Sequence, residues 1–177
     1  MNDMWLIYSA DENWAIGKNG DLLVRIPEDL KDRFKVLTSN NAVVMGKNTL
    51  LSLPGQKGLP CRKNYVLTSN KDFSCPNATV LHSLDELFSA LENVTTNIFI
   101  IGGGEIYNQL QPYCKGAFVT KILGSFDADT FVDDLDNNND WSIIKESDVF
   151  RSVAGVDFKY VDYINNNIKK YGDGNGQ

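Results

Sequence analysis

Two junctions in this chain join a short apolar run to glycine and then to a helix start, and both could hold an anion. Asn97 to Tyr107 reads Asn-Ile-Phe-Ile-Ile-Gly-Gly-Gly-Glu-Ile-Tyr. Ile98 to Ile101 has the unbroken apolar character of a strand buried on both faces. Gly102, Gly103 and Gly104 let the backbone come close to a phosphate, and the N–H groups of a helix starting near Glu105 would point at it. The spacing is not the dinucleotide fingerprint G-x-G-x-x-G, so a tight structural turn is the competing reading. The second junction is Ala42 to Met45 followed by Gly46-Lys47-Asn48-Thr49. It adds a cation and a hydroxyl to the backbone donors, which suits a phosphate. It is not a Walker loop. A third anion edge is Thr68-Ser69-Asn70-Lys71, where a strand ends in hydroxyls and a cation.

The acid that could do more than balance charge is Asp29. It follows Pro27 and Glu28 at a helix start, where acids usually complement the helix dipole. It also lies beside the apolar stripe of Leu30, Phe34 and Leu37, so a pocketed carboxylate with a raised pKa is the sharper reading. Arg62, just before a strand, is either an exposed cation or a two-pronged grip for a carboxylate. His82 is the single histidine. It is read as structural or surface, with no zinc site or serine triad built on it. The acidic, asparagine-rich stretch Asp127 to Asp140 lacks the EF-hand pattern and reads as a solvated loop.

These groups need elements to hold them. Met4 to Ala10 is a central strand by composition. Asp11 to Asp21 is a polar loop holding Trp14 and Ile16, which read either as a lid over a ligand or, the slightly preferred reading, as a loop packed on the core. A helix runs from Pro27 to about Thr38. Strands follow at Ala42–Met45, Asn64–Thr68 and Thr79–Leu81. Ser83-Leu-Asp-Glu86 is a capping box opening a helix whose stripe is Leu84, Leu87, Phe88 and Leu91. Gly116 to Leu123 is a strand, and Trp141–Ser147 with Val156–Ile164 make an alternating antiparallel hairpin. The expected fold is α/β: a mostly parallel central sheet flanked by helices, with a C-terminal antiparallel hairpin. Ligands on such sheets bind at the carboxyl ends of strands, where both glycine junctions lie. One domain is expected over residues 1–168, with 169–177 a disordered tail.

The chain has 177 residues, 42% hydrophobic and 23% charged, which is ordinary for a globular protein. Its net charge of −6 argues against general nucleic-acid binding. No run of about 18 apolar residues marks a membrane span. The acidic N-terminus does not read as a signal peptide. Cys61, Cys75 and Cys114 are odd in number and form no C-x-x-C, so a reducing cytoplasm is expected. Monomer is the default expectation, and no metal site is expected.

Taken together, the motifs resemble dihydrofolate reductase. They are Ile16-Gly17, Ile26-Pro27-Glu28-Asp29-Leu30, Val44 to Thr49, Leu59-Pro60-x-Arg62-Lys63-Asn64, Ile100 to Tyr107 and Asp129-Thr130-Phe131, in order along roughly residues 4 to 165. The resemblance implies reduction of dihydrofolate to tetrahydrofolate by NADPH, with hydride transfer to C6 and protonation at N5, and binding of antifolate-like small molecules. It implies that Asp29 bonds the pterin 2-amino group and N3, supported by Thr120. It places Leu30, Phe34 and Leu53 around the ring and benzoyl group, and Arg62 on the glutamate α-carboxylate. Ile7 and Ile101 would offer carbonyls near the pterin. Gly46, Lys47, Asn48 and Thr49 would hold cofactor phosphates, and Thr68, Ser69 and Lys71 the adenosine 2′-phosphate. Gly102 to Gly104, Glu105, Ile106 and Tyr107 would meet the pyrophosphate and nicotinamide, with a cis peptide between the first two glycines. Ile16 and Gly17 would sit in a mobile loop, Asn13 to Leu23, over the nicotinamide.

The chain departs from the family pattern in three places. Leu23-Val24 replaces a proline-tryptophan that helps fix a water near the substrate. Phe34 is five residues after Asp29 where the family has four, so either the helix bulges or Phe34 sits differently. Ser69 stands where an arginine often takes the 2′-phosphate, so the preference for NADPH rests on Lys47 and Lys71. Two alternatives remain at this level: the related reductase of riboflavin synthesis, which lacks the pair Asp29 and Arg62, and a non-catalytic pterin- or nucleotide-binding module.

Overall fold

The strand Met4–Ala10 (β1) sits at the middle of the sheet, and its residues show why. Leu6 and Ile7 point to opposite faces and both are buried, as a strand covered by layers on both faces requires. The computed structural model describes residues 1–172. Later strands are Ala15–Lys18 (β2), Asp21–Leu22 (β3), Ala42–Gly46 (β4), Lys63–Leu67 (β5) and Thr79–Leu81 (β6). They continue with Ile98–Gly102 (β7), Gly116–Ile122 (β8), Thr130–Phe131 (β9), Trp141–Glu146 (β10), Phe150–Arg151 (β11) and Asp157–Asn165 (β12). The main sheet has the order β10-β12-β8-β1-β7-β4-β5-β6, with β11 paired to β12. From β8 to β6 the strands are parallel, and β12 and β10 run antiparallel at one edge. Lys35–Thr38 (α1), Lys47–Ser52 (α2), Leu84–Leu91 (α3) and Gly104–Leu110 (α4) pack against it. No helix among the described residues is long and apolar enough to cross a membrane.

The expected α/β architecture is the observed one, and the differences are local. Asp11 to Asp21 is not all loop. It contains β2 and β3, which join β9 in a second sheet of order β3-β2-β9. Trp14 bends the chain into β2 with a left-handed φ of 61° and buries its ring edge-on to Tyr163. The helix expected from Pro27 opens α-helical at Pro27 and Glu28, widens into a π turn over Asp29–Phe34, and continues as α1. The capping box is half-formed. Ser83 Oγ accepts from the Glu86 N–H at 3.1 Å, but Glu86 turns back to the His82 N–H at 2.7 Å rather than that of Ser83. In β10 only Trp141 is buried, because nothing packs outside this edge strand, so the alternation read there is not expressed. Tyr171, assigned to the tail, stacks on Phe88 with centroids 4.0 Å apart and bonds Asp85 through its hydroxyl. The rest of that tail, 173–177, lies outside the described residues.

Candidate active site

The carboxyl ends of β4, β5 and β7 open onto one cleft of about 1050 Å3. It has two chemically different ends.

At one end is Asp29, the first residue of the π turn. The Lys35 N–H donates to the Leu30 carbonyl, five residues back, which widens the turn. In an α-helix a residue five positions on lies about 140° around the axis. The wider turn brings Phe34 back toward the side of Asp29, and both line the cleft with Leu30, Leu53 and Ile7. The bulge anticipated from the extra residue is therefore present. Asp29 Oδ1 accepts a hydrogen bond from Thr120 Oγ1 at 2.8 Å. Thr120 is buried behind the carboxyl on β8. Burial pushes the Asp29 carboxyl above its ordinary value, and the Thr120 bond and nearby Arg33 oppose that rise.

The other end is built from backbone. Gly102 has a φ of +139°, in the region that favours glycine, and a Cβ on it would meet Thr49 Oγ1 at 3.0 Å. A Cβ on Gly104 would meet Thr130 Cγ2 at 2.7 Å. The expected cis peptide joins Gly102 to Gly103. Lys47, at the start of α2, has no carboxylate partner among the ion pairs of the described residues; its ammonium lies 5.8 Å from the Phe73 ring. A glycine floor that side chains would fill, beside an uncompensated cation, fits the phosphates of a dinucleotide. The two ends meet at one bond. Tyr107 on α4 donates through its buried hydroxyl to the Ile7 carbonyl of β1 at 2.9 Å. Burial pushes the Tyr107 pKa up, so it stays a neutral donor.

Over the cleft, Ile16 and Gly17 of β2 and Leu22 of β3 form part of the lining. This flap is tied down at one buried post. Asp11, with 0% of its surface exposed, accepts from the N–H groups of Asn13 at 2.8 Å, Ala15 at 3.0 Å and Phe126 at 2.9 Å. Farther out, Asp129 accepts from the Asn19 N–H at 2.8 Å, and Lys18 pairs with Asp127 at 2.7 Å. Leu23 and Val24 do not line the cleft; Val24 packs with Ile26, Ile122 and Phe158.

All the site residues expected from sequence line this cleft except Thr120, Arg62 and Lys71. Thr120 acts from behind Asp29. Arg62 is held outside by Thr38 Oγ1 at 3.0 Å and by the carbonyls of Pro60 at 2.6 Å and Lys35 at 3.5 Å. Lys71 is exposed, carried outward by the turn in which the Phe73 N–H bonds the Asn70 carbonyl. His82 corrects the sequence reading in the other direction. It lines the glycine end, and its Nδ1 bonds the Thr68 carbonyl at 2.9 Å, leaving Nε2 free of that contact. Asn70 and Gln109 also line it. Asn70 belongs to the phosphate edge Thr68–Lys71 that the sequence marks, whereas no pattern in the sequence marks His82 or Gln109 for this cleft.

The family model described as dihydrofolate reductase matches residues 3–165. Dihydrofolate reductase of Bacillus subtilis is 32% identical over 167 residues, covering 94% of this chain and 96% of that protein. Dihydrofolate reductase of Enterococcus faecium is 37% identical over 131 residues, 73% of this chain and 77% of that one. Among solved structures, dihydrofolate reductase from Enterococcus faecalis complexed with NADP(H) and RAB-propyl superposes with a TM-score of 0.83 at 30% identity, over 93% of this chain and 96% of that chain.

Proposed function

The chain belongs to the dihydrofolate reductase family, and from that membership we propose how its residues divide the work. The protein is an NADPH-dependent oxidoreductase that reduces 7,8-dihydrofolate to 5,6,7,8-tetrahydrofolate. NADPH supplies the hydride that adds to C6 of the substrate. The residues proposed to hold it are Gly46 to Thr49, Thr68, Ser69, Gly102 to Tyr107, Ile16 and Gly17.

The observation that carries the substrate assignment is the Asp29 carboxyl, set among apolar walls and pinned by Thr120. There it would accept hydrogen bonds from the 2-amino group and N3 of the pterin. Its position would also raise the basicity of N5 and order the water that brings the proton. Leu30, Phe34, Leu53 and Ile101 would press the ring into a dry slot, fixing orientation and strengthening each polar contact. The Ile7 carbonyl, already bonded once, keeps a second lone pair for the ring. Arg62 uses three of its five N–H donors on protein oxygens. One hydrogen on each terminal nitrogen remains, the arrangement that grips a carboxylate in two places. That suits the glutamate end of a folate at the mouth. The same Asp29 is expected to bind the diamino ring of antifolate-like molecules.

The test is loss of NADPH absorbance with dihydrofolate, for the wild type beside Asp29→Asn. Activity of the variant at neutral pH should fall roughly 100-fold or more. A variant that keeps wild-type turnover would remove Asp29 from the reaction. Turnover of a pyrimidine precursor of riboflavin in place of dihydrofolate would move the site to that related reductase.

A further inference from the structure

One charged group near Asp29, Arg33, does not line the cleft. Arg33 lies four residues after Asp29 inside the π turn. Its guanidinium pairs with Asp162, and the two side chains are only 16% and 19% exposed. Its central carbon lies 4.2 Å from the centre of the Tyr160 ring and 5.5 Å from that of Phe118.

The sheet explains the placement. In the β8–β12 ladder Thr120 faces Tyr160, and Phe118 faces Asp162. Residues two apart on a strand share a face. Thr120, Tyr160, Phe118 and Asp162 therefore form one patch under the π turn. Asp29 is bonded to its Thr120 corner, and Arg33 is clamped on the other three. A cation held over two aromatic rings and against a carboxylate cannot swing away to water as an exposed arginine does.

We propose that Arg33 is a positioning residue for the reduction: clamped by Asp162 and Tyr160, its charge is held beside Asp29 and favours the ionised carboxylate, extending the pH range over which that form is present. The proposal deepens the assignment of Asp29 above and rests on it. On the turn itself, Glu28 is engaged by the Ser152 hydroxyl and the Val153 N–H at 2.8 Å each, and Lys31 and Asp32 are exposed. From β12 come Tyr160 and Asp162, and from β8 only Thr120 and Phe118. Arg33 is thus the cation built into this wall. It favours the ionised form of Asp29, against the larger effect of burial.

The signs separate this role from a merely structural one. Arg33→Met removes the cation and leaves Asp162 unpaired, so Asp29 should ionise at higher pH. Asp162→Asn frees the cation from its counter-charge, so Asp29 should ionise at lower pH. Each shift should be about half a pH unit, because the cation is partly neutralised and near solvent. Two readouts apply: the pH at which kcat/KM declines, and a carbon-13 titration of the Asp29 carboxyl in the ligand-free protein. Opposite shifts, with Arg33→Lys close to wild type, support the proposal. Shifts in the same direction, or none, overturn it. If Arg33→Met does not fold, Asp162→Asn alone decides by its acid shift. If Asp29→Asn abolishes the decline while neither partner variant moves it, the inference falls and the role of Asp29 stands. If Asp29→Asn keeps the wild-type profile, both fall together.

Discussion

The two ends of the cleft are made differently. The glycine end is backbone: two strand–turn–helix junctions, one shaped by what is missing at Gly102 and Gly104 and the other by the close approach of Ile106 to Gly46. The Asp29 end is side chains drawn from separate places, with Asp29 on a π turn, Thr120 on β8 and Arg33 locked to β12. One end depends on local sterics, and the other on long-range registry between a helical turn and a sheet. Damage should therefore be abrupt at the first and graded at the second.

The largest expected effect is at the glycine end. Gly104→Val drives side-chain atoms into Thr130, which a Cβ alone would meet at 2.7 Å. Overpacking of this kind costs about 1–3 kcal/mol, so NADPH affinity should fall up to roughly 100-fold by calorimetry. Folate binding, followed by tryptophan fluorescence, should change much less. Equal losses of both ligands would erase the distinction between the ends.

A smaller effect is expected behind Asp29. Thr120→Val removes a hydrogen bond to a carboxylate, worth about 1.5–3 kcal/mol. Since that bond lowers the Asp29 pKa, its loss should raise it further. kcat/KM should drop about tenfold, and its decline should begin at higher pH. A pH profile left in place would show that Thr120 only packs.

The smallest effect concerns stability. The Asp29 pKa is raised on folding, so its protonated form favours the native state and its ionised form opposes it. This contribution is present below the unfolded pKa and is lost as pH rises through the folded one. At neutral pH Asp29→Asn should therefore melt higher than wild type, by about 2 °C, while losing activity. A lower melting temperature would mean that the Thr120 bond outweighs the cost of burial.

The same contrast explains what could be read from the sequence. Both glycine junctions were legible because a strand, a turn and a helix start are neighbours in the chain. The π turn was legible only as one residue too many between Asp29 and Phe34. Arg33 had no signal, since its partners Tyr160 and Asp162 are more than a hundred residues away. β2 and β3 are hidden because the pairing of β2 with β9 is long-range, β3 is only two residues long, and Trp14 enters by a left-handed turn. His82 was missed because a lone histidine after a strand has no periodicity to place it. The capping motif at Ser83 was read correctly in its serine and wrongly in its glutamate, which found His82 instead. Arg62 was visible as a residue type, but its station outside the cleft depends on Thr38 and Pro60.

The bond from Tyr107 to the Ile7 carbonyl joins these two ends. Tyr107 rides on the helix that starts at Gly104, and Ile7 lies on the central strand, in the part of the cleft proposed for the substrate ring. A ligand that shifts α4 must pull on an acceptor facing the other ligand. Thermodynamic reciprocity then applies: whatever factor NADPH imposes on folate affinity, folate must return on NADPH. The two halves of the cleft thus share one oxygen atom, the Ile7 carbonyl.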